Sequence, residues 1–153
     1  MSLFNLKNKS ILITGSSKGI GKAIAYQCAE HGAKVIISSR KLDICEQTAD
    51  EINTKLGSQV AYAIPANISD DNQLEILVNE TRKKIGKIDV LICNAATNPF
   101  MGSMLDMPIE KFDKVMHNNI RSNQVLCNLV LPEMISKEDG SICLLYTSDA
   151  ADE

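Results

Sequence analysis

Three glycines between a strand-like run and a helix-like stretch restrict the fold of this chain more than any other feature. The run Ser10-Ile-Leu-Ile-Thr14 passes directly into Gly15-Ser-Ser-Lys-Gly19-Ile-Gly21, and an amphipathic stretch follows. Gly15 permits a sharp turn, Gly19 leaves no side chain where backbone would touch a phosphate, and Gly21 permits close packing of helix on sheet. The helix would also present unpaired N–H groups to an anion. We therefore predict a diphosphate-binding loop, with a ligand-free glycine turn as the alternative.

Strand-like and helix-like segments alternate along the rest of the chain. Short β-branched runs, typical of buried strands, occupy residues 10–14, 34–38, 59–64, 88–93 and 140–146. Helical spacing of apolar residues occupies residues 19–31, 41–56, 70–85 and 108–136. Asp70 is placed to cap the third helix, and Pro132 is expected to kink the fourth. This alternation predicts an α/β fold with a parallel sheet and right-handed crossovers.

Composition excludes several classes of function. The 153 residues are 44% hydrophobic and 23% charged, as in one globular domain. No apolar run approaches the ~18 residues of a membrane span, so we expect no membrane partner. The 16 basic and 19 acidic residues form no basic stripe, so we expect no nucleic acid partner. The cysteines and histidines lack metal-ligand spacing and the amino terminus lacks a signal peptide, which favours reduced thiols, no metal site and a cytoplasmic location.

The glycine spacing and two later segments resemble the short-chain dehydrogenase/reductase family. Residues 14–21 are similar to the family's T-G-x3-G-[IL]-G loop. Cys93-Asn94-Ala-Ala96 resembles its N-N-A-G segment, and residues 112–119 resemble the helix that carries its active-site asparagine. The resemblance implies a Rossmann-like doubly wound parallel sheet with helices on both faces, truncated here after the fifth strand. It also implies an oxidoreductase that transfers hydride between a nicotinamide cofactor and a carbonyl or secondary alcohol.

The resemblance further implies which residues contact the cofactor. The expected cofactor-binding residues are Gly15, Ser17, Lys18, Gly19, Ile20, Ser39, Arg40, Asn67, Ile68 and Asn94. Enzymes that prefer NAD(H) hold the adenosine ribose with a carboxylate at the tip of the second strand, whereas Arg40 stands there and Lys18 lies in the loop. We therefore expect NADP(H) to be favoured over NAD(H), unless Arg40 and Lys41 are only solvated turn residues. Asn94 is equally open to a structural role.

One member of the family's catalytic set has a counterpart in this sequence. Asn119 is expected to be the active-site asparagine, with Asn118 as the neighbouring alternative; either could instead be a polar residue that interrupts an amphipathic helix. The family's tyrosine and lysine lie in Y-x-x-x-K, but a lysine stands at the fourth position after none of Tyr26, Tyr62 and Tyr146. The catalytic serine also has no counterpart in register. We therefore expect the chain as written to be inactive, and a non-catalytic dinucleotide-binding module is the alternative function.

The end of the sequence departs from the family. Residues 143–153 resemble no dehydrogenase and match the translation of a transposase adapter used in short-read sequencing libraries. We expect them not to be native and assign residues 1–142 to an incomplete NAD(P)-binding domain. The resemblance implies a small carbonyl or alcohol substrate, and a homo-oligomer of the complete protein through the helix at 108–136. The candidates for that interface, or for the core, are Val125, Leu126, Leu129 and Val130.

Overall fold

The computed structural model describes residues 4–145, whose strands form one parallel sheet. The strands are β1 (Ser10–Thr14), β2 (Lys34–Ser38), β3 (Ala61–Ala63), β4 (Val90–Cys93) and β5 (Ser141–Leu144). Their order across the sheet is β3-β2-β1-β4-β5, and every neighbouring pair runs parallel. The predicted Rossmann-like doubly wound sheet is confirmed.

Helices cover both faces of this sheet. They are α1 (Gly19–Glu30), α2 (Leu42–Leu56), α3 (Asp71–Ile85), α4 (Ile109–Met116) and α5 (Ser122–Ser136). A short 3₁₀ turn at Met104–Asp106 precedes α4, and a π turn at His117–Arg121 joins α4 to α5. The predicted helix at 108–136 therefore exists, Pro132 lies inside α5, and the π turn interrupts the α geometry before it. None of the helices within residues 4–145 has the length and apolarity needed to span a membrane.

Local contacts explain where several elements begin and end. The Asp70 side chain accepts a hydrogen bond from the backbone N–H of Gln73 at 3.2 Å, as its predicted capping role requires. Strand β3 is shorter than the predicted run at 59–64. Asn53 Oδ1 of α2 accepts from the N–H groups of Val60 and Ala61, both at 2.8 Å, so a helix side chain takes part of the hydrogen bonding at the start of this strand. Residue 146 of the predicted fifth strand lies outside the described residues.

The hydrophobic core has two halves, one on each face of the sheet. Side chains alternate along a strand, so Ile11 and Ile13 pack with α1 and α2 while Leu12 packs with α3 and α5. Leu126 and Val130 are fully buried in the α3–α5 half, and Val125 and Leu129 pack against the same cluster. These residues of α5 therefore belong to the core.

Apolar side chains are exposed on α4 and the turns beside it. This α4 face consists of Met101, Met104, Leu105, Ile109, Phe112, Met116 and Ile120. Leu105 is 96% exposed, and no side chain of α4 is fully buried. Helix α4 therefore presents an apolar surface that no residue within 4–145 covers.

Candidate functional site

A crevice of about 760 Å³ opens at the carboxyl ends of the strands. Because all strands are parallel, the loops after β1, β2, β3 and β4 converge at this edge. The crevice is lined by these loops and, on its other side, by residues of α4 and the π turn. All the predicted cofactor-binding residues line it: Gly15, Ser17, Lys18, Gly19, Ile20, Ser39, Arg40, Asn67, Ile68 and Asn94. The structure thus brings together residues that are far apart in the sequence.

The glycine loop after β1 has two distinct geometric requirements. A Cβ atom on Gly21 would lie 2.5 Å from both the Gly15 carbonyl oxygen and Asn94 Nδ2, so only glycine allows α1 to approach the sheet this closely. Gly19 has a φ of +58°, and nothing lies within 4 Å of where its Cβ would be. Gly21 therefore serves packing within the protein, whereas Gly19 leaves its backbone accessible from the crevice.

Buried hydrogen bonds hold this loop against the tip of β2. Ser16 Oγ donates to the Ile13 carbonyl at 2.7 Å and accepts from the Ser38 N–H at 2.9 Å. The Ser16 N–H donates to the Ser38 carbonyl at 3.0 Å, and Thr48 Oγ1 donates to the Ser17 carbonyl at 2.9 Å. The loop is therefore held in position by the protein itself, so a ligand would not have to order it.

Asn94 joins the end of β4 to the glycine loop. Its Nδ2 donates to the carbonyl oxygens of Thr14 and Gly15 at 3.0 and 2.9 Å. Thr14 Oγ1 in turn accepts from the N–H groups of Asn94 and Ala95, both at 3.1 Å. Asn94 thus has the structural role that the sequence left open, although it also lines the crevice. Sequence analysis missed Thr14, whose position directly before Gly15 was the available signal.

The charged residues that line the crevice are all cations. They are Lys18 at the start of α1, Arg40 after β2 and Lys114 on α4, and no carboxylate is among the described lining residues. None of the three forms an ion pair with a residue between 4 and 145. Such a crevice attracts anions. Sequence analysis missed Lys114, because no spacing links α4 to the glycine loop.

The two neighbouring asparagines of the π turn are placed differently. Asn119 Oδ1 accepts from the Thr97 N–H at 2.8 Å, and its Nδ2 donates to the Thr97 carbonyl at 3.0 Å, so its side chain holds the loop after β4. Asn119 is not among the residues that line the crevice, whereas Asn118 is. Asn118 Nδ2 donates to Thr97 Oγ1 at 3.1 Å. The catalytic role of Asn119 stays a prediction.

The loop after β3 uses its own polar groups internally. Asn67 Oδ1 accepts from the N–H and the hydroxyl of Ser69 at 3.2 and 2.9 Å. The Asn67 N–H donates to Gln73 Oε1 at 2.8 Å. Both lone pairs of the Asn67 side-chain oxygen are therefore in use within the loop. Ala66 and Ile68 add apolar surface beside it.

Neither nucleophilic cysteine chemistry nor metal binding is indicated near the crevice. Burial raises the pKa of Cys93, at the end of β4, to about 12, with smaller contributions from Cys127 and Cys143. The Cys93 thiol is therefore protonated at neutral pH and unsuited to act as a nucleophile. Within residues 4–145, no group of three or more His, Cys, Asp or Glu side chains is placed to hold a metal ion.

Comparisons with known proteins agree with this geometry. A family model described as short chain dehydrogenase matches residues 9–152. The dehydrogenase/reductase SDR family member 4 proteins of Bos taurus and Homo sapiens are each 36% identical to the chain over 140 residues. Each match covers 92% of this chain and 50% of the relative, so the chain spans about half the length of the curated relatives it matches.

Solved structures show the same architecture. A hydroxysteroid dehydrogenase from Escherichia coli matches with a TM-score of 0.82 at 36% identity, covering 90% of this chain and 57% of that one. A short-chain type dehydrogenase/reductase from Mycobacterium marinum matches with a TM-score of 0.84 at 33% identity, covering 93% of this chain and 58% of that one. Together with the glycine loop and its crevice, these matches show that the chain belongs to the short-chain dehydrogenase/reductase family.

Proposed function

We propose that this chain forms the cofactor-binding part of an NADP(H)-dependent oxidoreductase. The complete protein would transfer hydride between nicotinamide and a small carbonyl or secondary alcohol. The observation that carries the proposal is the crevice itself, because Lys18, Arg40 and Lys114 line it together with the open backbone of Gly19 and no described carboxylate. A phosphorylated dinucleotide is an anion of the size and charge that this arrangement favours.

The residues present fit such a cofactor. Gly19 leaves space where a side chain would block a diphosphate, and the uncapped start of α1 offers N–H donors beside it. Lys18 and Arg40 would neutralise phosphate charge, and Ile68 would contact the adenine base. A bound nicotinamide cofactor supplies the hydride, while these side chains only bind and orient it.

The preference for NADP(H) is inferred from the tip of β2. Arg40 follows Ser39 there and is exposed, so its planar guanidinium can contact a phosphate with two parallel hydrogen bonds. Ser39 Oγ lies 3.1 Å from Cys45 Sγ, which holds the residue before Arg40 against α2. The carboxylate that would accept from both hydroxyls of an unphosphorylated ribose has no counterpart at this tip.

The reaction chemistry needs groups that this sequence lacks. Carbonyl reduction requires a proton donor at the forming alkoxide, and the sequence contains no Tyr-x-x-x-Lys. We infer that the chain binds cofactor without turnover, and that Asn119, whose side chain holds the loop after β4, is the active-site asparagine of the complete enzyme. A non-catalytic dinucleotide-binding module is the alternative function. NADPH-dependent carbonyl reduction by the purified 153-residue chain would contradict the expected lack of turnover and the non-catalytic module. The cytoplasmic location, the end of the native sequence at residue 142 and the homo-oligomer of the complete protein stay predictions.

Calorimetric titration of NADPH and NADH into the 153-residue chain tests the proposal. We expect NADPH to bind at least about tenfold more tightly, since a hydrogen bond to a charged group contributes roughly 1.5–3 kcal/mol. Arg40→Gln should remove most of this preference and leave NADH affinity nearly unchanged. Lys41→Gln is the matched control, because Lys41 is the next exposed cation but does not line the crevice. NADH affinity equal to NADPH affinity, or equal effects of the two substitutions, would contradict the assignment.

A further inference from the structure

One polar atom at the crevice has no partner in the protein. Asn118 is 4% exposed, and its Nδ2 is held by Thr97 Oγ1. Its Oδ1 is buried and accepts no hydrogen bond from any residue between 4 and 145. A buried carbonyl oxygen without a donor destabilises a folded protein, so native proteins satisfy nearly all such atoms. Because Asn118 also lines the crevice, a bound ligand is one source of the missing donor.

The position of Asn118 indicates which part of a dinucleotide would reach it. Asn118 contacts the loop after β4 through Thr97, and the preceding His117 Nε2 lies 3.1 Å from the Ser69 carbonyl in the loop after β3. In the sheet order β3-β2-β1-β4-β5, the β3 loop lies beyond Arg40, on the adenosine side of the glycine loop. The π turn that carries Asn118 therefore contacts both the loop after β3 and the loop after β4.

The neighbouring acceptor is already in use. Asn67 Oδ1, in the β3 loop, accepts from both the N–H and the hydroxyl of Ser69. Ala66 and Ile68, its neighbours in the chain, add apolar surface to the crevice lining. A flat apolar base fits such a surface, but its donor groups still need an acceptor. Asn118 Oδ1 is a buried side-chain acceptor that no residue between 4 and 145 uses.

We propose that Asn118 is a binding residue whose side-chain oxygen accepts a hydrogen bond from the adenosine part of the dinucleotide. The donor is either the exocyclic amino group of adenine or the ribose 3′-hydroxyl, which present the same chemistry to a carbonyl oxygen. This inference rests on the proposed function. It adds to the proposed binding site a hydrogen bond that requires the amide oxygen of Asn118, because an aliphatic side chain at this position could not accept one.

Binding of three ligands to the wild-type chain and Asn118→Ala tests the inference. The ligands are NADPH, its hypoxanthine counterpart, which lacks the amino group, and its 3′-deoxyadenosine counterpart, which lacks the hydroxyl. We expect wild type to bind one of the two analogues about tenfold more weakly than NADPH. Asn118→Ala should bind NADPH about tenfold more weakly and should no longer distinguish it from that analogue. The analogue affected identifies the donor.

Controls separate this contact from a general effect on the fold. Asn128→Ala makes the same change at an exposed position of α5 and should leave all three affinities unchanged. Thermal unfolding without ligand should show Asn118→Ala folded, and the analogue comparison in wild type needs no substitution at all. The inference is overturned if Asn118→Ala binds NADPH within twofold of wild type, or if wild type does not discriminate against either analogue. If wild type binds neither NADPH nor NADH, the proposed function fails and the inference fails with it.

Discussion

The glycine-loop side and the α4 side of the crevice are built in different ways. On the glycine-loop side, Ser16, Thr48 and Asn94 hold the backbone through buried hydrogen bonds. On the α4 side, the helix exposes an apolar face, and Asn118 keeps an oxygen without a partner among residues 4–145. The hydrogen bonds of the glycine-loop side are made within the described chain. The α4 side keeps an exposed apolar face and an amide oxygen that accepts no hydrogen bond from a described residue. The glycine-loop side is therefore the side that the described chain holds in place by itself.

The largest effect on stability is expected at Gly21, where the glycine-loop side is most tightly packed. Gly21→Ala places a Cβ 2.5 Å from the Gly15 carbonyl oxygen, a backbone contact that is relieved only if α1 or the glycine loop shifts. Overpacking of this kind costs about 1–3 kcal/mol of unfolding free energy, measurable by urea denaturation. Leu105→Ala on the α4 face is the counterpart and should change stability by less than about 0.5 kcal/mol, since the side chain is 96% exposed. Equal losses would show that the two sides do not differ as described.

A smaller effect is expected at the ion pair that attaches the π turn to α3. Arg121 hydrogen bonds to Asp71 and lowers the pKa of that carboxyl from its ordinary value of 3.8. A depressed pKa means that the stabilisation is present above the unfolded-state pKa and is lost as pH falls through the folded-state pKa. Asp71→Asn should therefore lower the melting temperature slightly at pH 6, and this difference should shrink as the pH falls below the ordinary carboxyl pKa of about 4.

The control for this ion pair is a melting series from pH 2 to pH 6 on both proteins. The pair is exposed on both partners, so we expect a small difference that also shrinks in high salt. A difference that grows as the pH falls would contradict the assignment of the shift to Arg121.

The parallel sheet and the glycine loop could be predicted because their signals are local. Each strand is a short β-branched run. Within Thr14–Gly21, the glycines mark the turn after β1, the open backbone at Gly19 and the close packing of α1 at Gly21. The extent of β3 could not be predicted, because Asn53 of α2 binds the N–H groups at its start. Periodicity does not report a side chain that competes for backbone hydrogen bonds.

The α4 side was harder to predict because one irregular turn sets which residues face the crevice. Successive residues of an α-helix point about 100° apart, so the π turn at His117–Arg121 decides the placement of both asparagines. The resemblance to the family favoured Asn119 as the active-site asparagine. In the structure, Asn118 lines the crevice, and the Asn119 side chain accepts a hydrogen bond from the backbone N–H of Thr97. Lys114 enters the same crevice from α4 through tertiary packing alone.

The central claim is that the diphosphate of a dinucleotide binds to the open backbone of the glycine loop. The most direct test compares the NADPH affinities of two matched variants, Gly19→Ala and Gly57→Ala. Gly19 and Gly57 have φ angles of +58° and +64°, and neither has an atom within 4 Å of a built Cβ. Gly19→Ala and Gly57→Ala should therefore lose similar stability, roughly 1 kcal/mol each from left-handed strain. We predict that Gly19→Ala weakens NADPH binding at least tenfold while Gly57→Ala leaves it unchanged. Equal NADPH affinity of the two variants would contradict the claim.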